Sequence, residues 1–449
     1  MSKLLFGWSE ISITPDRKIS LLGQFAERIS QYVEKPITAT AMAVDSGEDQ
    51  MVLVSCDLAG VTHTLLCAIR ERLAGNTIGL DPGKVIYASI HSHTSHNYPL
   101  ILKDRPGGCN NDEIMPLIYE LLPEGKKYVE QVEVAHGDDV MGSEEAFEFL
   151  ADRLAQVALD AWADRKPGSF ANGFGRAAVG MCRRACYSDG SAQMWGDTNT
   201  AMFTQLEGGN DSGIEVLFVY DEEEKIKGIV ASIACPAQCV QHRHFISPDY
   251  WGEVKMLLRQ HFGEDLYLVG LCSIAGDQCP VDLVRWVNPE SPINDPNCER
   301  DNPPKRKADP SMFDLSGMRK AGRRVRDGIL EAWEDGPEAQ ETVFEHRALQ
   351  MQLPLRRVDP TDVAKATRAI KEYMADKPGD IDYIDVARLQ PYLGVLRRAQ
   401  VQEEYDIVDS EIHIIRMGKI AIATNPFEPF LVYGNQIKAR SAAEQTFLV

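Results

Sequence analysis

The sequence has no apolar run near the roughly 18 residues needed to cross a bilayer. Its best candidates, Met51 to Val61 and Leu266 to Ala275, are interrupted or too short and read as buried strands. The N-terminus reaches a charged Glu10 without a long apolar stretch or a small-residue cleavage site, so no secretory signal is visible. Basic side chains are in deficit as well: 47 Lys and Arg stand against 67 Asp and Glu, a formal net charge of −20. This balance argues against a phosphate-backbone binder, whose affinity comes from clustered Lys and Arg, and against partners on anionic membrane surfaces. The ten cysteines lack disulfide-rich spacing, and with no export signal most are expected as reduced thiols in a cytoplasm. Cys182/Cys186 and Cys235/Cys239 have no second CxxC-type partner, which disfavours a structural zinc ribbon. No fixed-period repeat, low-complexity tract or long charge block is found, so the chain reads as one continuous fold.

What is present is ordinary globular composition, 44% hydrophobic and 25% charged over 449 residues. Thr38 to Val44 and Gln50 to Asp57 have strand spacing, joined by a hairpin turn at Gly47-Glu48-Asp49. Helical spacing is expected over Leu65 to Leu73, Ser143 to Asp164, Asp249 to Phe262, Met312 to Glu334, Thr361 to Ala375 and Ile381 to Glu404. Further strands are expected at Lys84 to Ile90, Ala171 to Ala185, Glu215 to Tyr220, Gly228 to Ala234, Leu266 to Cys272, Val343 to Leu355, Glu411 to Met417 and Ile420 to Thr424. The stretch from about 287 to 310 is rich in Pro, Asn and Asp and reads as an irregular surface insertion. Hairpins mixed with helix-linked strands predict an α/β (α+β) fold: mixed, largely antiparallel sheets packed together and flanked by helices in a single large domain.

Three strand ends could carry chemistry. His91-Ser92-His93 follows an apolar strand; on extended backbone residues i and i+2 face the same way, so both imidazoles could reach one metal ion. The alternative is a polar loop with surface histidines. In Gly276-Asp277-Gln278-Cys279-Pro280 the glycine permits a tight turn, Asp277 can accept backbone N–H groups, and Cys279 is presented at the lip. A thiol there is a nucleophile only if something lowers its pKa, and otherwise is a buried small hydrophobe. Glu428, between Phe427 and Pro429, is a strand-end carboxylate whose direction the prolines would fix, as a metal ligand or general base requires.

Together and in this order, these segments resemble the catalytic domain of the neutral/alkaline ceramidase family over most of the chain. Ile11 to Pro15 with Leu22-Gly23-Gln24 resembles its opening strand and loop, Val54 to Leu58 its strand ending in Asp, and His91 to Ser95 its HTHS motif. Ile246 to Gly252 is similar to its "ISADYPG" segment, Ala275 to Pro280 to its "GDxSP" turn, and Asn425 to Phe430 to its "PGE" segment. The resemblance implies zinc-dependent hydrolysis of an amide joining an acyl chain to an amine. It implies zinc ligands at His91 and Glu428 and a second site histidine at His93, and it puts Cys279 where the family has serine.

Three departures follow. The family's distant histidine ligand falls on Pro236, which cannot bind metal, so His242, His244 or Cys235 is expected to fill the place, or the site to lack tight zinc. Cys279 could attack a carbonyl or bind metal directly. The sequence stops at Thr446 to Val449 in what reads as a strand, without the family's late tyrosine ligand or its C-terminal immunoglobulin-like domain. The leading expectation is a zinc hydrolase acting on a soluble acyl amide or ester, small in size, with no nucleic-acid partner and no membrane insertion. His91, His242 and Glu428 hold the metal; His93, Asp277 and Cys279 are catalytic; Arg183, Arg184 and His244 contact a polar part of the substrate. The alternatives are a metal-independent cysteine hydrolase built on Cys279 and a non-catalytic binding protein on a decayed scaffold.

Overall fold

Residues 4–24, 27–98, 111–129, 137–285 and 314–449 are described by a computed structural model, the side chains of 111–113 excepted. The insertion expected at about 287–310 lies outside them.

The first sheet contains β1 (Leu5–Ser12), β2 (Thr38–Asp45), β3 (Gln50–Cys56) and β4 (Val85–Ser89), hydrogen-bonded in that order. The first three are antiparallel; β4 joins β3 in parallel after α1 (His63–Leu73). The second contains β5 (Ser169–Arg176), β6 (Gly213–Tyr220), β7 (Ile226–Ile233) and β8 (Tyr267–Cys272). It repeats the plan: two antiparallel pairings, then a parallel one. The third contains β9 (Phe344–Pro354), β10 (Ile407–Met417), β11 (Ile420–Ala423) and β12 (Gln445–Leu448), with the same two antiparallel pairings and one parallel. Helices α2 (Asn111–Leu121), α3 (Ser143–Ala163), α4 (Tyr250–Phe262), α5 (Asp314–Glu334), α6 (Pro360–Asp376), α7 (Tyr383–Val401) and α8 (Leu431–Arg440) complete the set used below. Helix α4 supplies the second parallel crossover and α8 the third. Parallel neighbours cannot be joined by a tight hairpin, so each sheet needs such a crossover.

A ββ-β-α-β plan thus occurs three times, although the sequence shows no repeat. In the first two copies a 21-residue helix follows, α3 or α5, and then a two-residue strand returns to pair with β1 or β5. What recurs is burial alternating at period 2, which many residue choices satisfy. Along β2, Ala39, Ala41 and Ala43 face a core shared with α1 and α3, while Met42 and Val44 face a core to which all three sheets contribute. Along β6, Ile214, Val216 and Phe218 face α4 and α5, while Leu217 and Val219 face the shared core. Both faces being covered explains why these strands read as continuous apolar runs. The helices approach closely where glycine allows it. A Cβ on Gly7 would lie 2.0 Å from the Ala161 carbonyl oxygen of α3, and one on Gly175 would lie 1.9 Å from that of Gly328 in α5.

The expected fold class stands. Within the expected strand Ala171 to Ala185, however, β5 stops at Arg176 and the chain continues as separate short strands, Met181–Cys182 and Arg184–Tyr187. A smaller core of Ile114, Ile118, Ile370, Met374, Leu389 and Leu393 ties α2, α6 and α7 together. The outer part of the β9–β10 ribbon exposes most of its side chains. Among the described residues no helix is long and apolar enough to cross a membrane, and the eight cysteines described are free thiols.

Candidate active site

The segments that follow β3, β4, β7, β8 and β11 border one cavity of about 540 Å³. Strand ends are where a sheet presents side chains without burying them in a core.

Beyond β4 the chain leaves the sheet at Ser89, and His91 adopts φ 63°. Its ring is therefore aimed by a turn, and the expected mechanism of convergence, alternation along an extended strand, is corrected. A non-glycine residue in this region costs about 1–3 kcal/mol and persists only where its surroundings hold it. Here His91 Nδ1 donates to the Ala59 carbonyl at 2.7 Å. A carbonyl can only accept, so in the neutral ring Nε2 carries the lone pair. That atom stands 3.5 Å from Glu428 Oε1 and 3.3 Å from His93 Nε2. His91 and Glu428 both line the cavity.

His93 lies behind His91. Burial holds it well below the usual histidine range, and His91, Arg28 and Arg183 push it the same way, so it is neutral. Its Nε2 meets the Gln238 amide at 3.0 Å, and its Nδ1 is buried with no hydrogen-bond partner. The Arg28 guanidinium clamps three carbonyls, those of His93 at 2.6 Å, Arg243 at 2.7 Å and Leu22 at 2.9 Å. Sequence reasoning missed both Gln238 and Arg28; nothing in their local sequence marks them, because the partners they meet at the site lie 65 to 215 residues away in sequence.

Glu428 is placed by the turn after β8. Asp277 Oδ1 accepts from Leu431 N, the first residue of α8, at 2.7 Å, and Gly276 N donates to the Pro429 carbonyl at 2.9 Å. The N-cap residue Phe430 makes no side-chain capping bond, so Asp277 supplies one from another segment. The expected role of Asp277 therefore shifts: it grips the segment bearing Glu428. Arg183 joins the same turn, its backbone N–H donating to the Asp277 carbonyl at 2.8 Å and Nη2 to the Gly276 carbonyl at 2.8 Å. It lines the cavity beside His91.

The other expected residues lie elsewhere. Cys279 is fully buried with Val281 and Leu283; its thiol donates to the Val281 carbonyl at 3.2 Å and burial pushes it up to about 12. A thiol so held is not a thiolate, which corrects the nucleophile reading. Arg184 pairs with Glu207 and covers the Phe430 ring at 5.3 Å. His244 gives its backbone carbonyl to Gln31 N at 2.7 Å and hydrogen-bonds Ile29. His242 faces Arg28 and Asp314 and is held down to about 4, mainly by burial. Cys235 is buried and raised well above the ordinary thiol range by that burial.

The zinc that the resemblance implies can be tested against these donors. Ligands on one tetrahedral zinc stand about 3.3 Å apart for bonds of about 2.0–2.1 Å, and the His91–His93 and His91–Glu428 separations both match. Yet no three His, Cys, Asp or Glu side chains among the described residues group as a metal site. His242 does not supply the missing donor, and Pro236 stands in the cavity wall. The described residues fall short of the three protein ligands a catalytic zinc site uses.

No protein-family model matches the chain, and no curated protein matches it. Among solved structures it is similar to neutral ceramidase from Pseudomonas aeruginosa, over 99% of this chain and 67% of that one, with TM-score 0.63 and 15% identity. It is likewise similar to a ceramidase complexed with C2, over 100% of this chain and 68% of that one, with TM-score 0.63 and 14% identity. The chain has a neutral ceramidase-like fold.

Proposed function

We propose that this chain is a ceramidase-like hydrolase that cleaves the bond between an acyl group and an amine or alcohol in a small soluble substrate. The observation that carries the reading is His91: its Nδ1 is committed to a carbonyl, which leaves the lone pair on Nε2, and that atom faces Glu428 at 3.5 Å and His93 Nε2 at 3.3 Å beside a cavity of about 540 Å³. An imidazole oriented through Nδ1 by a backbone carbonyl, with Nε2 basic and a carboxylate beside that same nitrogen, can serve as a general base. His91 Nε2 takes a proton from water, the hydroxyl oxygen bonds to the acyl carbon, and Glu428 stabilises the imidazolium that forms. Arg183 offers its guanidinium to the carbonyl oxygen as charge develops there. The carbon–nitrogen or carbon–oxygen bond then breaks, and the imidazolium returns its proton to the leaving group. His93, neutral and buried, meets the same His91 Nε2 at 3.3 Å and helps to fix the ring.

Of the residues expected to hold zinc, His91 and Glu428 stand together at the cavity and His242 does not join them, and no step is built on the metal. The cavity volume of about 540 Å³ falls within the range of small-molecule sites, about 300–1,000 Å³.

The test is a hydrolysis panel of short-chain N-acyl amines, esters and long-chain ceramides, with and without a strong chelator, alongside zinc analysis of wild type, His91→Ala and Glu428→Gln. Turnover of short-chain substrates that survives chelation and drops about 10²-fold in Glu428→Gln is expected. Stoichiometric zinc that both substitutions release would replace the base with metal-assisted hydrolysis. A preference for long-chain ceramide would overturn the substrate assignment, and no turnover on the whole panel would favour the binding-protein alternative.

A further inference from the structure

A second imidazole pair, absent from the motifs read in the sequence, lies where the β9–β10 ribbon meets the first sheet. His346 Nδ1 contacts the Gln50 carbonyl at 2.9 Å, His346 Nε2 contacts His413 Nδ1 at 2.8 Å, and His413 Nε2 contacts Glu411 Oε1 at 2.8 Å. Glu411 also accepts from Arg70 Nη1 at 2.9 Å, Arg70 Nη2 at 2.5 Å and Gln350 Nε2 at 2.7 Å. Both histidines are buried, and Arg70, Gln350, Asp409, Glu411 and His413 line the cavity.

Counting protons along this chain leaves one solution. The Gln50 carbonyl has no proton, so His346 Nδ1 must carry one. Burial raises the Glu411 carboxyl, but His413 and then Arg70 hold it far below its usual range; the two-pronged Arg70 contact by itself marks it as ionised, and a carboxylate only accepts, so His413 Nε2 must carry one. The imidazole–imidazole contact needs a third. Two neutral rings own two protons between them.

We infer that His346 and His413 together hold one proton more than two neutral imidazoles, and that this proton fastens the β9–β10 wall of the cavity to the first sheet. Removing it leaves two protons for three contacts, so one contact must open. The charged groups facing the pair are Asp49 and Lys84 on the His346 side, where Asp49 Oδ2 accepts from His346 N at 2.6 Å and Lys84 Nζ donates to its carbonyl at 2.5 Å. On the His413 side they are Glu411 and Arg70, with Asp409 and His63 further along the cavity. The Thr424 hydroxyl, which accepts from His413 N, is the neutral contact from β11. Burial holds His346 down to about 4, with His413 and Lys84 pushing the same way, which makes His346 the neutral ring of the two.

This inference is independent of the reaction assigned above. The test is nitrogen-15 NMR of histidine-labelled full-length protein at about pH 7, with signals assigned through His346→Gln and His413→Gln. One neutral ring protonated at Nδ1 beside one imidazolium is expected; two neutral rings would overturn the proton count. Glu411→Gln keeps the shape and removes the charge, and serves even if the histidine variants fail to fold. Its pair should fall to two protons, and a wild-type pattern in that variant would equally refute the assignment. Amide exchange in β9 and β10 should rise about tenfold beyond its intrinsic pH dependence once the proton is lost. Exchange that follows the intrinsic rate alone would show that the proton fastens nothing.

Discussion

The fold contains two histidine pairs, each lending one ring to the same cavity. In the first, His91 and His93 meet at 3.3 Å, His93 Nδ1 is buried with no hydrogen-bond partner, and Gln238 Oε1 beside it has none either. In the second, His346 and His413 meet at 2.8 Å and every ring nitrogen has a contact. A buried polar atom left unsatisfied costs about 1–3 kcal/mol, so the first arrangement is one that folding alone would not favour. The second is fully connected, as a network that specifies one packing should be. Under-satisfaction marks the pair free to act on something else, and full satisfaction marks the pair that holds the wall.

The largest effect that tests this contrast is on turnover. His91→Ala removes the proposed base and should lower kcat/KM for a short-chain acyl amide by about 10²–10⁴-fold with little change in thermal stability. Equal losses from His91→Ala and His413→Gln, with both proteins folded, would erase the distinction between the pairs.

The next effect is on stability against pH. His93, His96, His242 and His346 all have folded-state values below the ordinary histidine value, His96, His242 and His346 at about 4, chiefly through burial. In each case the unfolded chain binds the proton first, so stability is lost as pH falls from about 6.5 toward about 4. Asp249 has the opposite sign: burial raises it to about 6, so the folded state takes up its proton first and gains as pH falls. Burial lowers His244 as well and raises Asp57, and five histidines against two carboxyls predict a urea midpoint that drops between about pH 7 and about pH 5. A midpoint constant or rising over that interval would contradict the neutral assignments in both pairs.

The sequence made part of this arrangement legible and hid the rest for identifiable reasons. Strands buried on both faces, such as β2 and β6, announce themselves as apolar runs. The HxH and the Pro-flanked Glu428 were visible because strand ends concentrate polar residues. The threefold plan was hidden because it conserves burial and pairing, which many residue sets satisfy, while the connections between copies differ in length and content. The contacts of Arg28 with His93 and Arg243, of Gln238 with His93 and of His346 with His413 were invisible because they span 65 to 215 residues of sequence. Cys279 had two readings, nucleophile or buried small hydrophobe, because a glycine turn does not say which way the next side chain faces; here Met181–Cys182 pairs with Gln278–Cys279 and the thiol is buried.

A smaller effect concerns how the first pair's carboxylate is held. Asp277→Ala removes the capping acceptor at the N-terminus of α8 and should destabilise the protein by about 1–2 kcal/mol. It should also lower kcat more than it raises KM, because Glu428 loses its anchor while the cavity keeps its lining. Asp277→Asn, which retains an acceptor oxygen, should recover most of both losses. Loss of stability with unchanged kcat would confine Asp277 to a structural role.

The smallest expected effect is at Cys279, and it separates a buried thiol from a reactive one. Its sulfur is enclosed by Val281 and Leu283 with Trp195 against them, its proton goes to the Val281 carbonyl, and burial raises it to about 12. At neutral pH the thiolate fraction is negligible, and the side chain contributes volume instead of charge. Cys279→Ala therefore leaves one small cavity and should cost about 1 kcal/mol, read as a shift in the urea midpoint. Activity on the short-chain panel should stay within about threefold of wild type, since no bond to the reacting atoms is lost. Alkylating reagents should modify Cys67, the exposed thiol among those described, before Cys279. Inactivation that tracks Cys279 labelling, or a hundredfold loss in a folded Cys279→Ala, would move the chemistry from the histidine pair to this turn.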